Sequence, residues 1–189
     1  MAEKRVIKIP EIPEGSRFEK YLNKLDEIMK GAEPKILPYL YGIFVDCWDY
    51  MKQNPNIQYL PQITLKLVPT HGEFKKVEQE EGKKAVSKED AKYESTAFVV
   101  GNRFAARIYV DLQKFIDLSS HFGGPTFVLN IVETYVHEIL HIAFPEEYEQ
   151  EIHDMQCSLL DEFLGIRLQH ETRNVKVADY YSKKAKKPK

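Results

Sequence analysis

The sequence predicts an α+β fold: a small antiparallel or mixed sheet packed on a histidine-bearing helix and a glutamate-bearing helix, with further helices at the N-terminus. Three observations carry this. Apolar residues recur at helical spacing in stretches before residue 53 and again after residue 125. Between residues 63 and 111 lie three short runs of strand-forming residues, two of them flanking a Gly-Asn pair. A chain of 189 residues that is 43% apolar buries one good core and little more, which predicts a single domain over 1–182 and a basic flexible tail at 183–189.

Ser16 to Met29 carries Phe18, Tyr21, Leu22, Leu25 and Ile28 on one helical face, with Ser16 as cap and Gly31 as stop. A second helix is predicted from about Pro38 to Lys52 on Leu40, Tyr41, Phe44, Trp48 and Met51, completing N-terminal helices over 16–53. Pro55 and Pro61 end that pattern, and Ile63, Leu65 and Leu67 alternate with Thr64 and Lys66 as a strand. His71 to Tyr93, rich in Lys and Glu with Gly72 and Gly82, reads as an exposed loop excursion. Ser95–Val100 and Arg103–Asp111 flank Gly101-Asn102, a pair suited to a tight hairpin, so the sheet spans 63–111 and is expected to be antiparallel. A short helix from Leu112 to Ser120 precedes Gly123-Gly124-Pro125, which breaks it and opens the helices of 125–165.

Composition excludes several functional classes. A net charge of −2 and a pI of 6.3 give no global basis for binding nucleic acid or an anionic membrane. The five lysines of 183–189 are the one concentration of positive charge and read as a solvated tail. The N-terminus lacks the apolar core and cleavage site of a secretory signal, and polar residues interrupt the most apolar stretch, Phe127 to Phe144. Cys47 and Cys157 stand far apart with no C-x-x-C spacing, as buried reduced thiols would. These features predict a cytoplasmic protein with no membrane anchor.

The informative motif is V-H-E-I-L-H, Val136 to His141. His137 and His141 lie one helical turn apart on the same face, so both imidazoles reach one ion, while Glu138 projects to the side, toward a metal-bound water. An H-E-x-x-H arises in about 2% of shuffled sequences of this composition. Asn130, Thr134, His137 and His141 form a narrow polar stripe on a helix that is otherwise apolar. A buried polar stripe needs partners, and a zinc ion with its water supplies them.

A catalytic zinc takes three protein ligands and a water, so a third ligand must come from elsewhere. Phe144-Pro145 ends the motif helix, and a further helix is predicted from about Glu146 to Leu164 on Tyr148, Ile152, Met155, Leu159 and Phe163. Glu149 falls roughly 60° from the centre of that stripe, on the same side as His153, Gln156 and Leu160, whereas Glu151 and Asp154 point more toward solvent. Glu149 is the expected third ligand, with His153 and Glu151 as alternatives. His153, one turn beyond, is also placed to orient a ligand from behind.

With these residues in view, the chain resembles the gluzincin clan of zinc peptidases, in which H-E-x-x-H is followed by a separate glutamate-bearing helix. It is most similar to the soluble minigluzincins, over roughly Ile63 to Gly165. Glu149 to Leu160 is also similar to the E-x-E-A-N segment of the peptidase domains of phage-repressor-cleaving proteins, whose first glutamate is the ligand. The chain departs from related families at His153, where they carry Asp or Asn. Phe144 and Glu147 stand where a metzincin needs Gly and its third His.

The resemblance implies a zinc-dependent metallopeptidase acting on a peptide or protein substrate. Glu138 would take a proton from the zinc-activated water and pass it to the leaving amine. Ala105 to Val110 is the expected edge strand for an extended substrate, and Tyr148, His153 and Arg107 are the candidates for stabilising the oxyanion. The resemblance also implies latency, with Asn174 to Ser182, including Asp179, Tyr180 and Tyr181, filling the cleft. Two alternatives remain: a non-catalytic zinc-binding or regulatory module, and a protease tethered to DNA by its lysine tail.

Overall fold

Ser16 sets where the first helix begins: its hydroxyl accepts from the Glu19 amide at 3.2 Å while its own backbone stays extended. Helix α1 (Arg17–Lys30) ends at Gly31 and buries Phe18, Tyr21 and Leu25. Helix α2 (Ile36–Lys52) starts two residues before Pro38, which a first turn accommodates because its amide has no intrahelical partner there. The computed structural model describes residues 12–32, 35–81, 97–102 and 104–167. The extreme N-terminus, residues 82–93 of the expected excursion, Arg103, the segment Asn174–Ser182 and the lysine block lie outside the described residues.

Beyond α2 the chain forms β1 (Gln62–Val68), α3 (His71–Glu81), β2 (Ala97–Gly101), β3 (Ala105–Asp111), α4 (Leu112–Phe122), α5 (Gly124–Ala143) and α6 (Glu149–Leu164). Among the described residues this is an α+β fold with six helices and one three-stranded mixed sheet.

Of the two arrangements the sequence left open, antiparallel and mixed, the sheet takes the mixed one, so the fully antiparallel pairing is not formed. Its order is β1-β3-β2, with β2 antiparallel and β1 parallel to β3. β3 is therefore central, its two edges paired from Gln62–Ala105 to Val68–Asp111 on one side and from Gly101–Ala106 to Ala97–Val110 on the other. The hairpin turn also differs. Gly101 belongs to β2, and Asn102 Oδ1 accepts from the amides of Phe104 (2.8 Å) and Ala105 (3.2 Å), which makes a longer, side-chain-braced loop. A Cβ on residue 101 would stand 2.4 Å from the Ala105 carbonyl oxygen at a φ of +152°, so the close strand approach requires glycine.

The first part of the expected excursion is helix α3. Thr70 Oγ1 accepts from the Glu73 amide at 3.2 Å, an N-cap that the T-x-x-E spacing encodes. Phe74, fully buried, anchors α3 beside Phe98 and Tyr109 on one face of the sheet. The other face, presenting Ala97, Val99, Ala106, Ile108 and Val110, joins the main core with α1, α2, α5 and α6.

Helix α5 runs through that core, touching α1, α2, α4, α6 and β2. The Tyr135 hydroxyl donates to the Leu40 carbonyl (3.2 Å), and its ring meets Phe44 edge-on with centroids 5.4 Å apart. Cys47 and Cys157 are both free and buried. Among the described residues no helix is long and apolar enough to cross a membrane.

Candidate metal centre

Gly123, at φ +86°, turns the chain into α5, and Pro125 occupies its first turn. Apolar residues then bury the helix on nearly every side, so its later polar residues are held in the interior: Glu138 is 4% exposed and His141 3%. The helix stops at Phe144, whose amide still reaches Leu140. Pro145 offers no amide to continue it, and a turn closed by the Glu147 amide on the Phe144 carbonyl delays the next helix. Helix α6 thus begins at Glu149 rather than Glu146, with Ile152, Met155, Leu159 and Phe163 as its buried stripe.

This turn swings the first residue of α6 back over α5. The Nε2 atoms of His137 and His141 stand 3.1 Å apart. The Glu149 carboxylate spans both, Oε2 at 3.2 Å from His137 and Oε1 at 2.7 Å from His141. His137, His141 and Glu149 form the one group able to hold a metal ion among the described residues. The side chain of His141 is 4% exposed, that of His137 18% and that of Glu149 44%, so the site is closed on the α5 side and open past the carboxylate.

Burial alone would push the His137 imidazolium down. The hydrogen bond to Glu149, the charges of Glu138 and Glu149 and the bond to Gln156 outweigh it and lift His137 to about 9. Burial opposes ionisation of Glu149 as well, but hydrogen bonds from His137 and His141 and their charges hold its carboxyl well below the usual range. Without an ion, the cluster is thus an imidazolium–carboxylate pair at neutral pH.

Behind the site, His137 Nδ1 donates to Gln156 Oε1 at 2.6 Å. Gln156, 2% exposed, donates its amide nitrogen to Glu133 Oε1 at 2.8 Å. The spacing places Gln156 on the Glu149 side of α6 without giving it a role, and Glu133 is not singled out. The available signal is that Gln156 lies seven residues after Glu149, two turns along the same face, while Glu133 lies four before His137.

The other sequence candidates fall elsewhere. His153 directs Nδ1 at Cys157 Sγ, 3.8 Å away, and is not in the metal-binding group. Glu151 is also outside that group, and its Oε2 is buried rather than turned to solvent as the helical angle suggests. Arg107 lies on the α3 side of the sheet, beside Tyr109 (3.3 Å), because successive β3 residues alternate faces; α5 lies against the opposite side. Tyr148, 72% exposed, immediately precedes Glu149 at the open side. Ala105–Val110 cannot accept an added strand, since both its edges are paired.

Immediately after His141, Ile142, Phe144 and Pro145 line a groove of about 480 Å³ with Tyr59, Gly101 and Ala106. In comparisons with known proteins, the chain matches no protein-family model, no curated protein and no solved structure.

Proposed function

We propose that this protein is a zinc-dependent metallopeptidase of gluzincin type, with His137, His141 and Glu149 as ligands and Glu138 as the general base. One observation carries the reading: two histidines of one helix and a glutamate of the next each bring a possible ligand atom to within 4.8 Å of the other two, around a single open side. Ligand atoms about 2.0–2.1 Å from a tetrahedral zinc stand about 3.4 Å apart, so a small parting of the three side chains admits the ion. Two imidazoles and one carboxylate form a known catalytic zinc donor set, which leaves the fourth position for water. The open side past Glu149 is where that water would sit.

Bound there, the ion would supply Lewis acidity toward water and toward a substrate carbonyl. The remaining work falls to side chains of this chain. Glu138, inside the α5 wall next to His137, takes a proton from water at its carboxylate and returns it to the leaving amine nitrogen. Gln156 keeps the His137 ring in place. An extended peptide adds along the outer edge of β2, which is unpaired among the described residues and lies against α5. The groove beyond His141 has room for one of its side chains. The two free, buried cysteines, Cys47 and Cys157, fit a reducing, cytoplasmic setting.

The test is metal analysis of protein purified without added metal, alongside His137→Ala, followed by assay on a broad peptide library. One equivalent of zinc in the wild type, none in the variant, and metal-dependent cleavage is the expected result. Zinc without cleavage of any peptide would reduce the protein to a metal-binding module, and the absence of zinc uptake would remove the reading.

A further inference from the structure

The groups facing His137 from behind form a directional chain. Glu133, as a carboxylate, only accepts hydrogen bonds, so the side of the Gln156 amide 2.8 Å away must be its NH₂. That fixes the amide oxygen toward His137, and an amide oxygen only accepts, so Nδ1 of His137 must carry a proton at 2.6 Å. A neutral His137 in this setting has its lone pair on Nε2, the atom that faces His141 and Glu149.

We infer that the buried Glu133–Gln156 pair is a positioning device that locks His137 in its Nδ1-protonated tautomer and aims its Nε2 lone pair into the metal centre. The device rests on the metal-site reading above for its purpose, but not for its geometry. Glu133 and His137 share α5, four residues apart, and Gln156 bridges them from α6; the same two bonds therefore fix the separation of the helices that carry the ligands. The assignment differs from the expectation for His153, whose ring turns to Cys157 instead. Gln156 is the buried polar residue of α6, which argues for a positional role: a leucine would satisfy the packing without desolvating an amide.

The experiment compares wild type with Gln156→Met, which keeps the volume but removes both bonds, and with the exchange Gln156→Glu plus Glu133→Gln. In the exchange, the carboxylate moved to α6 accepts both from Nδ1–H of His137 and from the amide moved to α5, so the direction of the chain at His137 is preserved, whereas Gln156→Glu alone sets two carboxylates together. Zinc affinity is measured by competition with a chromophoric chelator. Imidazole proton–nitrogen NMR is recorded on the metal-free proteins at a pH high enough that the His137 ring is neutral, so that its single ring N–H reports the tautomer, together with thermal unfolding. Gln156→Met is expected to lose about tenfold to a hundredfold in zinc affinity. The exchange is expected to return to within about threefold of wild type, a rescue that packing alone does not produce. The wild-type spectrum is expected to show a His137 Nδ1–H protected from exchange, lost in Gln156→Met.

Wild-type affinity in Gln156→Met, or an unprotected Nδ1–H in the wild type, overturns the proposal. If the wild type takes up no zinc, the metal reading fails and the metal-free spectrum alone decides the lock. Should Gln156→Met not fold, the exchange decides: a folded exchange protein that lacks the protected proton and binds zinc as wild type does also overturns it.

Discussion

The imidazoles of His137 and His141 meet nearly at right angles, 79° between planes, with centroids 4.7 Å apart. One turn of helix brings the rings this close, but the convergence of their Nε2 atoms comes from opposite constraints: Gln156 holds one ring from behind and Glu149 spans both in front. Removing either ring should dismantle the site. His141→Ala is expected to lower zinc affinity by more than about a hundredfold, beyond the effect of any supporting residue, as measured by chelator competition.

Glu138 lies beside His137 but outside the ligand group. Glu138→Gln is therefore expected to retain zinc within a few-fold of wild type while hydrolysis falls on the order of a hundredfold to ten-thousandfold. Parallel metal analysis and peptide cleavage check this, and a variant with full activity would remove the general base from the proposed chemistry.

The metal-free protein should show a distinctive pH dependence. Glu149 titrates below its ordinary 4.5, so its stabilising contribution is complete above that pH and is lost as pH falls through the depressed value. His137 is raised from 6.5 to about 9, so its contribution is complete below 6.5 and is lost as pH rises through about 9. Thermal unfolding without metal should peak between pH 4.5 and 6.5 for these two groups and decline on both sides. Zinc must displace the His137 proton, so its apparent affinity should climb about tenfold per pH unit up to the region of 9. Melting curves and zinc titrations across this range check both trends; a flat zinc affinity would contradict the proton competition.

At the hairpin, Gly101→Ala meets the Ala105 carbonyl oxygen at 2.4 Å and the Ala106 Cα at 2.5 Å. The backbone conformation alone costs about 1–3 kcal/mol, which lowers the melting temperature by about 2–4 °C per kcal/mol in a protein of this size. Because Gly101 also lines the groove beyond His141, the same variant is expected to lose more activity than unfolding accounts for, which kcat/KM at a temperature well below the transition reveals.

Much of this architecture is legible in the sequence because the local signals agree with one another. Ser16, Gly31, Pro125 and Phe144-Pro145 delimit helices by backbone chemistry that needs no tertiary help, and the angular reading of α6 brings Glu149 toward the histidines. The misread features depend on distant partners. Nothing local in β1 says that it runs parallel to β3, since the pairing forms over some forty residues of intervening chain. α3 has too few apolar residues for a periodic signal; Phe74 docked on a sheet face with Val77 beside it, and His71 bonded to Asp111 and Gln113, hold it, and the Thr70–Glu73 cap is its local sign. Gln156 escapes notice for the same reason: its partners, His137 and Glu133, belong to another helix.

The start of α6 carries one further consequence. Its capping residue, Tyr148, offers no side-chain acceptor to the first amides, and the first helical residue is Glu149 itself. An ion held there would act as a rivet through the end of one helix into the flank of another, so chelation should reach past chemistry into mechanics. Amide exchange at Glu151 and Ile152 would quicken when the metal is stripped, while the backbone amide of Tyr135, whose hydroxyl anchors the opposite flank of α5 to Leu40, would keep its protection.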